Sequence, residues 1–182
     1  MNPTEKKIYL TFDDGPIPEV TPWVLNLLKQ ENIKATFFCV GDNVAKNPEI
    51  YNQIIEQGHT LGNHTFNHLN GWNTDTNKYI ENVNHCNQLV KTNLFRPPYG
   101  KLKRSQFAVL NSQFSIIMWD VLSGDYDKET SPEKCLKNVV DMVRNGSIIL
   151  FHDSLKAQTK MQYALPGFIA FAKEKGYEFE KL

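Results

Sequence analysis

The stretch Ile8-Tyr9-Leu10-Thr11-Phe12-Asp13-Asp14-Gly15-Pro16 decides the fold. An apolar strand pattern runs straight into two adjacent carboxylates and a Gly-Pro turn. In a parallel α/β protein the residues that do chemistry gather at the carboxyl ends of strands, and turn residues there set how side chains project. Two neighbouring Asp repel each other at such a position unless something positive sits close, a metal ion or an arginine. Taken alone, the same letters also read as an Asx-turn whose Asp caps the next helix. The rest of the chain has to decide between the two.

Outward from that stretch, strand and helix patterns alternate. Thr21 and Pro22 read as N-cap and first residue of a helix carrying Val24, Leu27 and Leu28 and ending at Asn32. The run Ile33 to Val40 is nearly continuous in apolar residues, as in strands buried on both faces. A short helix from Asn47-Pro48 closes at Gly58, and His59 to Asn63 forms a third strand. A helix over Thr76 to Asn93 leads to an extended end forced by Pro97-Pro98. Leu102 to Leu110 reads as a short helix, Phe114 to Trp119 as a strand, and Asp120 to Lys128 as a polar loop. A helix from Pro132 stops at Gly146 before the strand Ser147 to Phe151; a last helix over Leu165 to Lys175 precedes the closing strand Tyr177 to Phe179.

Seven strands alternating with helices imply parallel pairing through right-handed crossovers. Polar clusters follow five of these strands, whereas an open doubly wound sheet draws on two or three strand ends. The expected fold is therefore α/β, a closed but short or irregular (β/α) barrel of about seven parallel strands.

A chain of 182 residues makes one domain, read here as spanning 1–182. Lys plus Arg equals Asp plus Glu at 20 each, which argues against nucleic acid or an anionic membrane as partner. Cys39, Cys86 and Cys135 lack CxxC spacing and read as reduced thiols in apolar positions. Met1 to Lys7 hold no apolar run and no later stretch is long enough to span a membrane, so the chain as given reads as cytoplasmic, with an exported mature domain as the alternative. Oligomeric state is not legible.

His64 and His68 are four residues apart, so one helical turn would put both imidazoles on one face, as two metal ligands require. Alone, the pair reads better as surface or N-terminal helix histidines. With Asp14 it becomes a His-His-Asp set, the three-ligand pattern of catalytic zinc with a position left open. Asp13 is then free to take a proton from water, and Arg96 can hold Asp13 ionised and oriented. The competing reading of Arg96 is a surface cation beside a Pro-Pro turn. His152 ends another strand, where it can protonate a leaving group with an acid from the preceding loop fixing its tautomer; it reads equally as a satisfied core histidine. His59 and His85 are assigned to the core.

With these residues quoted, the chain resembles the polysaccharide deacetylases of carbohydrate esterase family four. Five motifs occur in the family's order: Thr11 to Pro16, His64-Thr65-Phe66-Asn67-His68, Arg96-Pro97-Pro98-Tyr99-Gly100, Asp120 to Tyr126, and Leu150-Phe151-His152-Asp153. The resemblance implies an irregular (β/α) barrel that hydrolyses N-acetyl groups on N-acetylglucosamine units of chitin-like glycans or peptidoglycan. It makes Asp13 the base, and Asp14, His64 and His68 the ligands of one divalent metal, zinc first, with cobalt or another divalent ion as alternatives. It gives the backbone N–H of Tyr99 to the oxyanion, His152 to the departing amine with Asp125 steering it, and Leu150, Tyr126 and Pro98 to the substrate pocket. Thr65 would support the metal ligands from behind. The fourth motif departs from the family: Leu122 stands in place of an acid and Tyr126 in place of a tryptophan, which puts the choice of substrate in doubt. Trp72, Trp119 and Tyr126 are candidate platforms for a sugar ring, with core the favoured reading of Trp119. Two other functions stay open, a non-sugar amide hydrolase on the same barrel and a glycan-binding domain with a dead site.

Overall fold

The computed structural model describes residues 5–182. Residues 1–4, which begin both the domain expected over 1–182 and the stretch Met1 to Lys7, lie outside them. The first strand, β1 (Lys7–Asp13), is central. On one side it pairs with β2 (Thr36–Cys39), which is followed by β3 (Thr60–Asn63), β4 (Leu94–Phe95) and β5 (Ser115–Ile116). On the other it pairs with β7 (Ile148–His152), beyond which lies β6 (Val121–Leu122). A short strand, β8 (Glu178–Glu180), pairs with Lys7 to Tyr9 of β1. Every pairing is parallel.

The two-residue period of β1 separates core from site. Ile8, Leu10 and Phe12 are fully buried in the main apolar cluster, with Phe12 stacked on Phe37 at 5.0 Å between ring centroids. Thr11 and Asp13 project to the opposite face, the interior of the curled sheet. On β7 the register pairs Thr11 with Leu150 and Asp13 with His152, so four side chains of two neighbouring strands share that face.

The helices α1 (Thr21–Gln30), α6 (Pro132–Met142) and α7 (Gln158–Glu174) supply the outer half of that cluster, through Val24, Leu25 and Leu28, Cys135 and Val139, and Met161, Leu165, Phe168 and Ile169. Between β2 and β3 the chain forms α2 (Gly41–Lys46) and α3 (Pro48–Glu56). A second cluster joins Tyr79 and Val83 of α4 (Thr76–Val90) and Leu110 of α5 (Arg104–Leu110) to Phe95 and Phe114.

Four expectations need correction. The ladder does not close into a ring: its order begins at β5 and ends at β6. The strand β6 lies in the segment read as a polar loop, because Val121 and Leu122 pair with Ile149 and Leu150. Helix α7 starts at Gln158, seven residues before the expected Leu165, and holds Pro166 inside it. The buried contacts of Met161 and Ala164 keep its first half helical despite the hydrogen bond that proline removes. Finally, Thr21 is not the N-cap of α1; Val20 is, and the Thr21 hydroxyl is engaged elsewhere.

Candidate active site

Asp13 ends β1 fully inside the barrel, and its Oδ1 accepts a 2.8 Å hydrogen bond from Nη1 of Arg96. Arg96 is 0% exposed. Its guanidinium donates to Asp13, to Thr11 Oγ1 (2.8 Å), to the carbonyl of Ile117 (3.1 Å) and to that of Met118 (3.2 Å), and it lies 4.1 Å from the centroid of the Phe38 ring. Ile117 and Met118 lie between β5 and β6. Arg96 thus binds β1 to the chain that crosses the open seam, with a charge-assisted bond holding the Asp13 carboxylate in place. It is no surface cation.

Asp14 follows at φ 89, a left-handed conformation that turns its carboxylate towards the two histidines. The turn is fixed from behind: Asp153 accepts from the Gly15 amide (3.0 Å) and the Thr21 hydroxyl (2.6 Å), and Asn43 donates to the Asp14 carbonyl (2.7 Å). A Cβ on Gly15 would lie 1.9 Å from Asp153 Oδ2, so only glycine fits there.

His64 and His68 do not lie on a helical turn. The segment is an irregular loop after β3 in which Thr65 (φ 62) and His68 (φ 53) are left-handed, and it still brings the two rings to 5.1 Å between centroids. Side chains take up the loop's amides. Asn63 Oδ1 accepts from Thr65, Asn82 Oδ1 from Phe66 and Asn67, and Thr65 Oγ1 from Leu69. Thr65 therefore supports the histidines by shaping their loop.

The donor atoms of Asp14, His64 and His68 all lie within 4.8 Å of one another. His64 Nδ1 is 2.8 Å from the carbonyl of Arg96, which assigns the ring proton to Nδ1 and leaves the Nε2 lone pair facing Asp14 Oδ1 at 3.8 Å. Burial holds His64 down at about 4 against the pull of Asp13, so the imidazole is neutral at neutral pH. Asp14 is held well below the usual carboxylate range: burial alone would raise it, and the imidazoles of His68, His152 and His64 outweigh burial. Its Oδ1 is buried without a hydrogen-bond partner, although His68 Nε2 is 3.2 Å away. A carboxylate oxygen and a lone pair aimed at each other, with no donor between, are an arrangement that a cation completes. The carbonyl on His64 Nδ1 is the usual partner of a metal-binding imidazole. These residues fit a divalent metal.

His152 stands at the end of β7, opposite Asp13 in the register. Asp125, fully buried, accepts from the His152 amide and meets its ring Nδ1, both at 2.7 Å. Burial works against charge on this imidazole, yet the bond to Asp125 and the charges of Asp125, Asp14 and Asp13 raise it to about 9. It is therefore cationic at neutral pH, with Nε2 left to donate.

These groups open into a cleft of about 470 Å³. Asp13, Asp14, both loop histidines, Tyr99 and His152 line it, as do Leu150 and Tyr126 from the expected pocket set. Pro98 is buried and does not; Arg96, Asp125 and Thr65 act from behind it. Tyr99 is left-handed (φ 61), its ring 4.7 Å from that of His68. Trp119, expected in the core, is half-buried and lines the cleft, because β5 and β6 do not close over it. Leu122, Lys101, Ser154 and Lys156 also line it and were not foreseen as site residues. For Leu122 the signal was its place in the altered fourth motif; the others carry none beyond lying next to motif residues.

A (β/α) sheet whose strand ends carry a buried carboxylate, a triad that fits a cation and a charged imidazole has the groups that hydrolysis needs. The sequence matches the polysaccharide deacetylase family over residues 1–113. It is 34% identical to a peptidoglycan-N-acetylglucosamine deacetylase of Bacillus cereus over 96% of this chain and 85% of that one, and 34% identical to a chitooligosaccharide deacetylase of Azorhizobium caulinodans over 82% and 74%. In other relatives the matched region is as little as 33% of the protein. The crystal structure of the Bc1960 peptidoglycan N-acetylglucosamine deacetylase, in complex with 4-naphthalen-1-yl-N-oxidanyl-benzamide, superposes with a TM-score of 0.94 at 33% identity, covering 100% of this chain and 88% of that one. BA3943 of Bacillus anthracis, a family-four pseudoenzyme, superposes at 0.88 with 26% identity, covering 100% and 65%.

The chain belongs to the polysaccharide deacetylase family, carbohydrate esterase family four, and is by class a polysaccharide N-deacetylase. Because the same fold also carries a pseudoenzyme, what this chain does has to be argued from its site.

Proposed function

We propose that the chain removes the acetyl group from N-acetylglucosamine units of a glycan by metal-dependent hydrolysis. The observation that carries this reading is the register pair Asp13 and His152, a base and an acid on adjacent strands beside the triad of Asp14, His64 and His68. Relatives named for peptidoglycan and for chitooligosaccharide deacetylation supply the substrate class.

Asp14, His64 and His68 would hold the ion, with zinc the first candidate. Bound there, a divalent cation supplies Lewis acidity, which acidifies water and polarises a carbonyl. Asp13, fixed through Oδ1 by Arg96, takes the proton of the attacking water on its other oxygen. The acetyl carbonyl gains negative charge as the water oxygen adds, and the Tyr99 N–H, held by the left-handed turn, donates to it. His152 gives its Nε2 proton to the amide nitrogen as the C–N bond breaks, leaving acetate and the free amine. Leu150 and Leu122 provide an apolar wall for the acetyl methyl.

The test is acetate release from N-acetylglucosamine oligomers, peptidoglycan fragments and a panel of non-sugar acetamides. Each is assayed on chelated protein and again after zinc is restored. Release confined to the glycans, stopped by chelation and recovered with zinc, is the expected result. Release only from non-sugar amides would move the substrate. No release with metal bound would favour a glycan-binding domain.

A further inference from the structure

Two lysines on opposite sides of the reacting centre have no part in the scheme above. Lys101 follows Tyr99-Gly100 on the His68 side, with its Nζ 5.1 Å from the centroid of the Trp72 ring. Lys156 follows His152 to Ser154 on the other side, with its Nζ 5.7 Å from the centroid of the Tyr126 ring; Tyr126 in turn meets His152 at 5.0 Å. Both lysines line the cleft. Among the described residues neither ammonium has a carboxylate partner: Asp13 is engaged by Arg96, and Asp14 faces His64 and His68.

The chain has no net charge, so this positive pair is a local arrangement and not the spill-over of a basic protein. Each ammonium accompanies an aromatic ring that keeps solvent access, Trp72 at 60% and Tyr126 at 38%. An exposed ring beside a cation offers apolar contact to a sugar face and a counter-charge to an acid.

We propose that Lys101 and Lys156 make the cleft selective for a glycan in which the reacting N-acetylglucosamine unit carries a carboxylate-bearing neighbour on each side. This rests on the deacetylase reading and names its substrate more narrowly. A strand alternating N-acetylglucosamine with a lactyl-ether sugar has that pattern, one acidic neighbour before and one after each reacting unit. A uniform chitooligosaccharide offers neither lysine a charge. The carboxylate comes from the lactyl group itself or from a peptide attached to it.

The experiment compares kcat/KM on three substrates of equal length: a neutral chitooligosaccharide, a peptidoglycan strand stripped of its peptides, and the same strand with peptides attached. The zinc-loaded wild type, Lys101→Gln, Lys156→Gln, the double variant and the double Lys→Arg variant are each measured at low and high salt. Exposed ion pairs contribute at most about 1 kcal/mol each, so each Gln variant should lower the ratio of anionic to neutral kcat/KM by up to about fivefold. Raised salt should lower the same ratio in the wild type, and Arg should restore it. Whichever acidic strand shows the effect identifies the carboxylate. A ratio unmoved by the double variant, or a Gln effect equal on neutral and anionic glycans, overturns the proposal and leaves the lysines as packing for the two rings. No release from any of the three by the wild type overturns the deacetylase reading itself, and this proposal with it.

Discussion

His152 donates two hydrogen bonds to one carboxylate, and that pairing sets its chemistry. As the proton donor it works only while protonated, so turnover is expected to hold through neutral pH and to fall as pH rises through the value of about 9 that Asp125 helps maintain. Asp125→Asn keeps an acceptor of the same shape but removes its charge, which lowers the imidazole's proton affinity. The alkaline limb of kcat should therefore move to lower pH, read directly from pH–rate profiles of the two proteins. An unshifted limb would take His152 out of the acid's role. The identities of these residues were legible because each sits in a short motif after a strand. Their conformations were not. Asp14, Thr65, His68 and Tyr99 all have positive φ, and no rule of composition selects a β-branched threonine for that region. Strain of this kind persists where surrounding bonds over-determine it, and here the bonds come from residues remote in sequence, such as Asn82 and Asp153.

At the level of elements, the open seam between β5 and β6 is where the sequence was least informative. Strands of two residues with no alternation to display cannot be told from loop, and β6 was read as one. Arg96 supplies across that seam what a continuous ladder would have provided, donating to Ile117 and Met118 while it holds Thr11 and Asp13. A lysine keeps the charge but cannot reach four acceptors at once, and removing such a buried network costs roughly 3–5 kcal/mol. For a domain of this length, Arg96→Lys is expected to lower Tm by on the order of 10 °C as well as slow turnover. Thermal unfolding of the chelated variant checks it; an unchanged Tm would show that the seam is held by other contacts. The helix α7 teaches a related lesson. The sequence pattern starts this helix at Leu165, but the apolar face from Met161 to Ala172 extends through Pro166, and packing decides.

Across the whole molecule, the buried titratable groups predict a stability maximum near neutrality. Burial holds His59 and His64 at about 4, below their ordinary 6.5, so the unfolded chain binds more protons and stability is lost as pH falls from 6.5 towards 4. His152 at about 9 and Asp153, raised by burial to about 8, act in the opposite sense: the folded state binds the extra protons, and stability is lost as pH rises through those values. Between 4 and 6.5 two histidines oppose one aspartate, and above 6.5 the losses add. The Tm of the chelated protein should therefore peak at about pH 6–7 and fall on both sides, whereas a Tm rising steadily to pH 9 would contradict the assignment. The barrel itself was legible from seven alternations of strand and helix. That it stays open at one side, exposing Trp119 to the cleft, depended on a ladder that only the packed structure reveals.

The central claim is that Asp13 moves the proton and the Asp14, His64 and His68 cluster holds the metal, two separate jobs for adjacent carboxylates. Asp13→Asn divides them in one measurement, bound zinc per chain together with acetate released from an N-acetylglucosamine oligomer. The account predicts one zinc retained and release reduced by about 10²–10⁴ fold, the usual contribution of a general base. Full activity with zinc bound, or loss of zinc along with activity, would contradict it.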